Sequence, residues 1–248
     1  FKASPPFSAP LPGGPVPLIE LLRERAREAA GPLLGEEVEV VAGPIPPELS
    51  IGSPGRGDFA LLSGEEVMVE ARLLGARGQA FTPAPREFRG TLAEALELDL
   101  SDPSNRAVFV AASNALVRAL GLVGATVHCR DEGPWLCAER LASSLDAERV
   151  GLIGYQPAMV RALSRRFRLR VTDMKPGNVG RVVFGVRVEP ASANHDVLEW
   201  ADVALVTGSV VANGTMDDLL NYDNVVLYGV TGASAEALLG VRRWCLGL

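Results

Sequence analysis

The chain has 248 residues, 48% apolar and 22% charged, with a formal charge of −6. That composition excludes a disordered chain, and the acidic balance argues against a general nucleic-acid binder or a protein held on anionic membranes. No run of about 18 apolar residues is present, which removes a membrane-spanning helix, and the three cysteines form no disulfide framework and suit a reducing cytoplasm.

The first 17 residues are proline-rich and read as an extended arm, not a signal peptide. Because the chain starts at Phe1, a short upstream segment is expected. Pro17–Ala30 then places Leu18, Ile19, Leu22 and Ala26 on one helical face, opposite Glu/Arg pairs. Glu36–Ile45 alternates as a strand, and Asp58–Leu62 and Glu66–Leu74 are two more, with Ser63-Gly64 as the hairpin turn between them. Three successive strands without helices predict an antiparallel meander. Thr91 with Glu94 forms a capping box opening Leu92–Leu98. Asp102-Pro103 opens a long helix to Leu120, which Gly121 and Gly124 end. Ala125–Cys129 reads as a short strand and Pro134–Leu145 as an amphipathic helix. Residues 1–148 are therefore expected to form an α+β domain.

From Val150 the pattern changes. Apolar strand, polar-glycine turn and helix recur at Val150–Pro157, at Asp202–Ser209 running on to Asn213-Gly-Thr215, and at Val225–Gly232. Continuous apolar strands are buried on both faces, as in parallel sheets covered by helices. Residues 149–248 are therefore expected to form a small doubly wound parallel-sheet domain, with ligands bound at the strand C-terminal ends. The run Arg161, Arg165, Arg166, Arg168 and Arg170 reads as a solvated outer helix face.

At the first turn, Gly154 begins a dinucleotide-like fingerprint, but Gln156 and Met159 stand where the further glycines belong. The turn still offers a helix N-terminus. Asp173, at the end of the next strand (Leu169–Asp173), is placed to accept hydrogen bonds from a ribose; it equally suits the start of the turn Asp173–Gly177. The cluster Thr207, Gly208, Ser209, Asn213, Gly214 and Thr215 gathers small polar groups at a strand end and helix start. A plainer role, with Asn213 or Thr215 as N-cap of Met216–Leu220, accounts for one of them. Asn114 is a polar residue in an otherwise apolar helical stretch; it either bonds nearby backbone or projects into the domain interface.

His128, Cys129, Asp131, Glu132 and Cys137 are of metal-ligand type, but adjacent strand residues point to opposite faces, and no Cys-x-x-Cys pair is present. No metal-ligand set is assigned. A bound metal is expected to keep most of its coordination sphere in its own chelator or in oxygen groups. Cys245 reads as an isolated thiol. Nucleophile-elbow, Walker and zinc-protease motifs are missing, and His195 has no adjacent nucleophile, which speaks against hydrolysis by histidine.

Taken together, Ser113-Asn114-Ala-Leu116, Gly151–Pro157, Val171-Thr-Asp173, Asn178-Val-Gly180, Trp200-Ala-Asp202, Val206–Ser209 and Asn213-Gly-Thr215 occur in an order that resembles a prokaryotic family proposed to act in heavy-metal chelation. The likeness covers roughly residues 35–245. It implies an enolase-N-terminal-like first domain, a Rossmann-like second domain, and a ligand cleft between them; it implies no established reaction.

The expected function is binding of a small polar ligand, such as a heavy metal or metal chelate, in that cleft. The expected site comprises Asn114, Gly154, Tyr155, Gln156, Asp173, Thr207, Gly208, Ser209, Asn213, Gly214 and Thr215. An enzyme using a nucleotide-type cofactor such as S-adenosylmethionine is the alternative. The cofactor, a transition metal or a nucleotide-type ligand, stays open, as does homo-oligomerisation. Nucleic acid and membranes are not expected partners.

Overall fold

A computed structural model describes residues 16–42 and 67–247. The expected strand Asp58–Leu62, the Ser63-Gly64 turn and most of the proline-rich arm lie outside them. The fold is mixed α/β with two sheets.

Helix α1 (Leu18–Ala30) precedes the first sheet, formed by β1 (Glu37–Val41), β2 (Val67–Leu73), β3 (Ala76–Thr82) and β4 (Phe88–Thr91) in the order β3-β2-β1-β4. All its pairings are antiparallel. β2 and β3 are joined at Leu74-Gly75, both with positive φ (50° and 81°), the backbone that a tight hairpin requires. β3 and β4 have no counterpart in the expected strands. Small and polar residues build β3 because α3 (Pro103–Ala119) lies directly on it: a Cβ on Gly78 would fall 2.1 Å from the Ala115 backbone nitrogen. A strand pressed against helix backbone cannot carry the large alternating side chains that mark strands in sequence.

Between the sheets come α2 (Leu92–Leu96), opened by the Thr91–Glu94 capping box, then α3, N-capped by Asp102 with Pro103 at its first position, and α4 (Gly133–Ser144). Residues 125–129 are not a strand, contrary to expectation. They form an irregular segment bonded to β3, where Gln79 N–H donates to Thr126 O (3.0 Å), His128 N–H to Gln79 Oε1 (2.7 Å) and Thr126 Oγ1 to Arg77 O (2.6 Å).

The second sheet contains β5 (Arg149–Ile153), β6 (Arg168–Asp173), β7 (Val182–Val183), β8 (Val186–Pro190), β9 (Val203–Thr207), β10 (Val225–Tyr228) and β11 (Arg243–Trp244), ordered β11-β10-β9-β5-β6-β8-β7. Apart from the antiparallel β7–β8 pair, its pairings are parallel. Both faces are covered. Along β9, Ala204 and Val206 pack into one apolar cluster with α3, α6 (Asn194–Trp200), α7 (Ser209–Asn213) and α9 (Ala233–Leu239). Leu205, between them, packs into a second cluster with α4 and α5 (Pro157–Ser164). Continuous apolar strands follow from that double burial.

The first cluster runs unbroken from α1 and the first sheet into α9. Helix α1 also has its leading amide capped from afar, with Leu18 N–H donating to Asp217 Oδ1 (2.7 Å) at the start of α8 (Met216–Leu219). The arginine run does not share one helix face. Arg168 and Arg170 lie on β6, Arg170 paired with Glu189 (2.5 Å), and Arg161 on α5 stacks over Trp135 at 5.1 Å. No described helix is long and apolar enough to cross a membrane.

Candidate functional site

The C-terminal ends of β5, β6, β9 and β10 bring most of the expected residues together. Gly154 follows β5 with φ +94° and sits against its neighbours: a Cβ there would be 2.8 Å from Thr207 Cγ2 and 3.0 Å from the Tyr228 hydroxyl oxygen. Only glycine meets both demands. The Tyr228 hydroxyl donates to Gly154 O (2.7 Å), tying β10 to the β5 turn across β9. Gln156 caps α5, its Oε1 accepting from Met159 N–H at 2.6 Å.

Asp173 is part-buried at the end of β6. Its Oδ2 accepts from Tyr155 N–H (2.7 Å), and its Oδ1 from Lys175 N–H (2.7 Å) and Asn178 Nδ2 (3.3 Å). The carboxylate therefore locks the β5 turn to the loop after β6, and both oxygens are engaged. That loop returns Arg181 over the ring of Tyr155, 5.9 Å from its centroid. At the end of β9, Thr207 Oγ1 lies 3.3 Å from Ser209 Oγ. Gly208 is squeezed against the next turn, where its Cβ would be 2.6 Å from Gly232 N.

Asn213, Gly214 and Thr215 do not join this group. Helix α7 carries them a turn beyond Ser209, and Gly214, in the left-handed conformation (φ 73°), is its C-cap. Arg106 of α3 covers this end, donating to Ala212 O (3.1 Å) and Asn213 O (3.5 Å). The segment presents carbonyls to a cation, the reverse of the amide-rich anion cradle expected there. Thr215 precedes α8 with no side-chain cap bond.

Asn114 settles both earlier alternatives at once. It projects between the two sheets and is bonded there entirely to backbone. Its Nδ2 donates to Gln79 O (2.9 Å), Thr231 O (3.1 Å) and Val230 O (3.4 Å), while its Oδ1 accepts from Ser234 N–H (2.8 Å). With no solvent exposure, it braces the region instead of facing a ligand. Beside it, Phe81 N–H donates to Thr231 Oγ1 (3.1 Å). Where the sequence predicts an open cleft at Asn114, the sheets are joined directly. A shallow hollow of about 370 Å³ opens elsewhere, lined by Glu139, Arg140, Ser143, Ser144 and Arg166.

Tyr228, Thr231 and Arg181 are the site-region residues that the sequence reading left unnamed. The third strand–glycine turn was the available signal for the first two; nothing in the spacing marks Arg181.

Electrostatics along β3 are organised by Glu70 and Gln79. Burial alone would raise the Glu70 pKa, but hydrogen bonds from Arg77 (2.5 Å) and Gln79 (2.8 Å) outweigh it and hold the carboxyl below its ordinary range. Burial pushes His128 down to about 4, so the imidazole is neutral near pH 7. Its Nδ1 lies 2.5 Å from Cys129 O, and a carbonyl only accepts, so Nδ1 carries the proton. The ring also meets Phe81 edge-on, with centroids 5.4 Å apart. Burial drives the Cys129 thiol up to about 12 and raises Cys245 as well. Among the described residues, no three His, Cys, Asp or Glu side chains are grouped closely enough to hold a metal ion.

Residues 139–242 match the family DUF364, whose description reads "Putative heavy-metal chelation". No curated protein matches. Similar solved structures include the following two. One is a protein of unknown function from the DUF364 family of Pyrococcus horikoshii, 18% identical, with a TM-score of 0.57, covering 87% of this chain and 80% of its own. The other is a DUF364 protein of unknown function from Desulfitobacterium hafniense, 14% identical, with a TM-score of 0.55, covering 89% of this chain and 82% of its own. At such identities the likeness is one of fold.

Proposed function

We propose that the protein binds a small, polar, partly anionic ligand, of the kind a metal chelate presents, at the C-terminal edge of the parallel sheet. The binding groups are the hydroxyls of Thr207 and Ser209 and the guanidinium of Arg181, which lie beside the β5 turn. The metal arrives as cargo inside its chelator. One observation carries this reading: Gly154 (φ +94°), Thr207 and Tyr228 are packed together where the strands end, with Asp173 fixing the adjoining amide of Tyr155. A preorganised edge of this sort sits where open α/β sheets bind ligands. The family description of residues 139–242 supplies the ligand class.

The nucleotide alternative loses its main support, since the Asp173 oxygens expected to receive a ribose are engaged by Tyr155, Lys175 and Asn178. Native mass spectrometry of untagged protein separates the readings. A retained transition metal together with the mass of an organic acid chelator is the expected result. A retained adenine-containing molecule would replace the proposal with the enzyme reading.

A further inference from the structure

Asn213 and Gly214 stand apart from the ligand edge, and they carry a chemistry of their own. They form the one Asn–Gly pair in the 248 residues. In such a pair the backbone nitrogen of the glycine attacks the side-chain amide of the asparagine. No Cβ blocks the approach, and glycine reaches the required backbone angles freely. The bond formed is Gly214 N to Asn213 Cγ. The bond broken is Cγ to Nδ2, which leaves as ammonia with the proton that Gly214 N gives up. Water then opens the cyclic imide at either carbonyl, leaving an aspartyl or an isoaspartyl linkage at position 213. No oxidation state changes, and water is the sole co-reactant.

The fold leaves this pair open to water and at the same time holds the reacting atoms back. Gly214 is exposed and Asn213 half-buried at the end of α7. The nucleophile is engaged: Gly214 N–H donates to Val210 O in the last turn of α7, and Thr215 N–H donates to the same carbonyl at 3.0 Å. Attack requires the peptide plane between Asn213 and Gly214 to rotate, which breaks the Gly214 bond. Arg106 opposes that rotation. Its guanidinium lies against Gly214, where a Cβ would be 3.2 Å from both Cζ and Nε. Nε donates to Ala212 O (3.1 Å), and Nη2 to Asn213 O (3.5 Å), the carbonyl of the plane that must turn. The guanidinium is itself fixed from the other side, Nη1 donating to Leu100 O (2.8 Å) and Ser101 O (3.2 Å). One planar fork thus ties the Asn213–Gly214 peptide to α3 and the loop before it, a span that a lysine ammonium does not cover.

We propose that Asn213 is a latent deamidation site, kept as asparagine by the Arg106 clamp and converted when that clamp opens. Local opening sets the rate, because the end of a five-residue helix is held by few bonds. Conversion adds a carboxylate at the far end of the helix that begins with Ser209, and the isoaspartyl form also lengthens the backbone there.

The test follows conversion at position 213 by peptide mass and an enzymatic isoaspartate assay, with the full chain incubated at mildly alkaline pH. The samples are folded wild type, wild type in denaturing urea, Arg106→Gln and Asn114→Ala. Folded wild type should convert at least about tenfold more slowly than the unfolded chain. Arg106→Gln loses hydrogen bonds from a charged donor, so its conversion should exceed that of folded wild type by about tenfold or more, with native circular dichroism. Asn114→Ala lowers overall stability without touching the clamp and should leave the rate within about twofold of wild type. Where Arg106→Gln fails to fold, Arg106→Lys replaces it, keeping the charge and losing the fork. Hydrogen exchange at the Gly214 amide of wild type is the variant-free check and should proceed through local opening, faster than global unfolding allows. Folded wild type converting as fast as the unfolded chain, an Arg106 variant converting no faster than wild type, equal acceleration in Asn114→Ala, or Gly214 exchange at the global rate would each overturn the proposal.

Discussion

The side-chain oxygen of Asn114 on α3 accepts a hydrogen bond from Ser234 N–H in the first turn of α9 at 2.8 Å, while its nitrogen reaches Gln79 O on β3 and Thr231 O. One buried amide thus joins the first sheet, the central helix and the turn that follows β10.

Replacing Asn114 by alanine leaves those backbone groups buried without partners. At about 1–3 kcal/mol per unsatisfied group, the loss should be about 3 kcal/mol, since part of the polar surface can find water. In a chain of this size that lowers Tm by roughly 6–12 °C. Calorimetric or spectroscopic melting checks it. A decrease of only a degree or two would mean that the amide is dispensable.

Two glycines should respond differently to alanine. Gly78 has Ala115 N only 2.1 Å from its virtual Cβ, and backbone cannot give way as a side-chain tip can. Gly78→Ala should cost about 3 kcal/mol or more, the upper range for overpacking. Gly75→Ala meets nothing within 4 Å and carries only the positive-φ penalty of about 1–2 kcal/mol. Urea midpoints of the two variants give the order; equal midpoints would refute the close approach of α3 to β3.

Acid should act in two windows. The folded His128 pKa of about 4 lies below its ordinary 6.5, so between those values the unfolded chain binds a proton that the folded chain refuses. Stability from this group is complete above pH 6.5 and declines as pH falls toward 4. Asp202 is held near 2 by hydrogen bonds from the Arg149 side chain and backbone. Its contribution is present above its ordinary 3.8 and is lost as pH falls through 2. Urea unfolding between pH 7 and 5, where most carboxylates stay ionised, isolates the first window. His128→Gln should flatten that slope; an unchanged slope would assign it to other groups.

The sequence makes the second sheet legible because its signals are local. Val150–Ile153, Val203–Thr207 and Val225–Tyr228 are apolar runs ending in glycine turns, and they share one sheet as expected. The Thr91–Glu94 box likewise announces a helix start through its own spacing. What stayed hidden depends on tertiary contact. β3 is small and polar because α3 presses on it, and β11 is two residues long and exists only beside β10. Asn213 and Thr215 adjoin Ser209 in sequence, but α7 separates them in space.

The central claim is that a metal chelate occupies the edge formed by Gly154, Thr207 and Ser209, and ligand-linked thermal stabilisation tests it most directly. Thr207→Val keeps the methyl packed beside Gly154 and removes only the hydroxyl, and Ser209→Ala removes its partner. Melting is measured with nickel citrate, citrate alone and nickel alone. At 100 times Kd a ligand stabilises by about 2.7 kcal/mol through mass action. Wild type should be stabilised by nickel citrate beyond either component, and the double variant should lose most of that increment while melting normally without ligand. An equal increment in the double variant, or none beyond the separate components in wild type, would contradict the account.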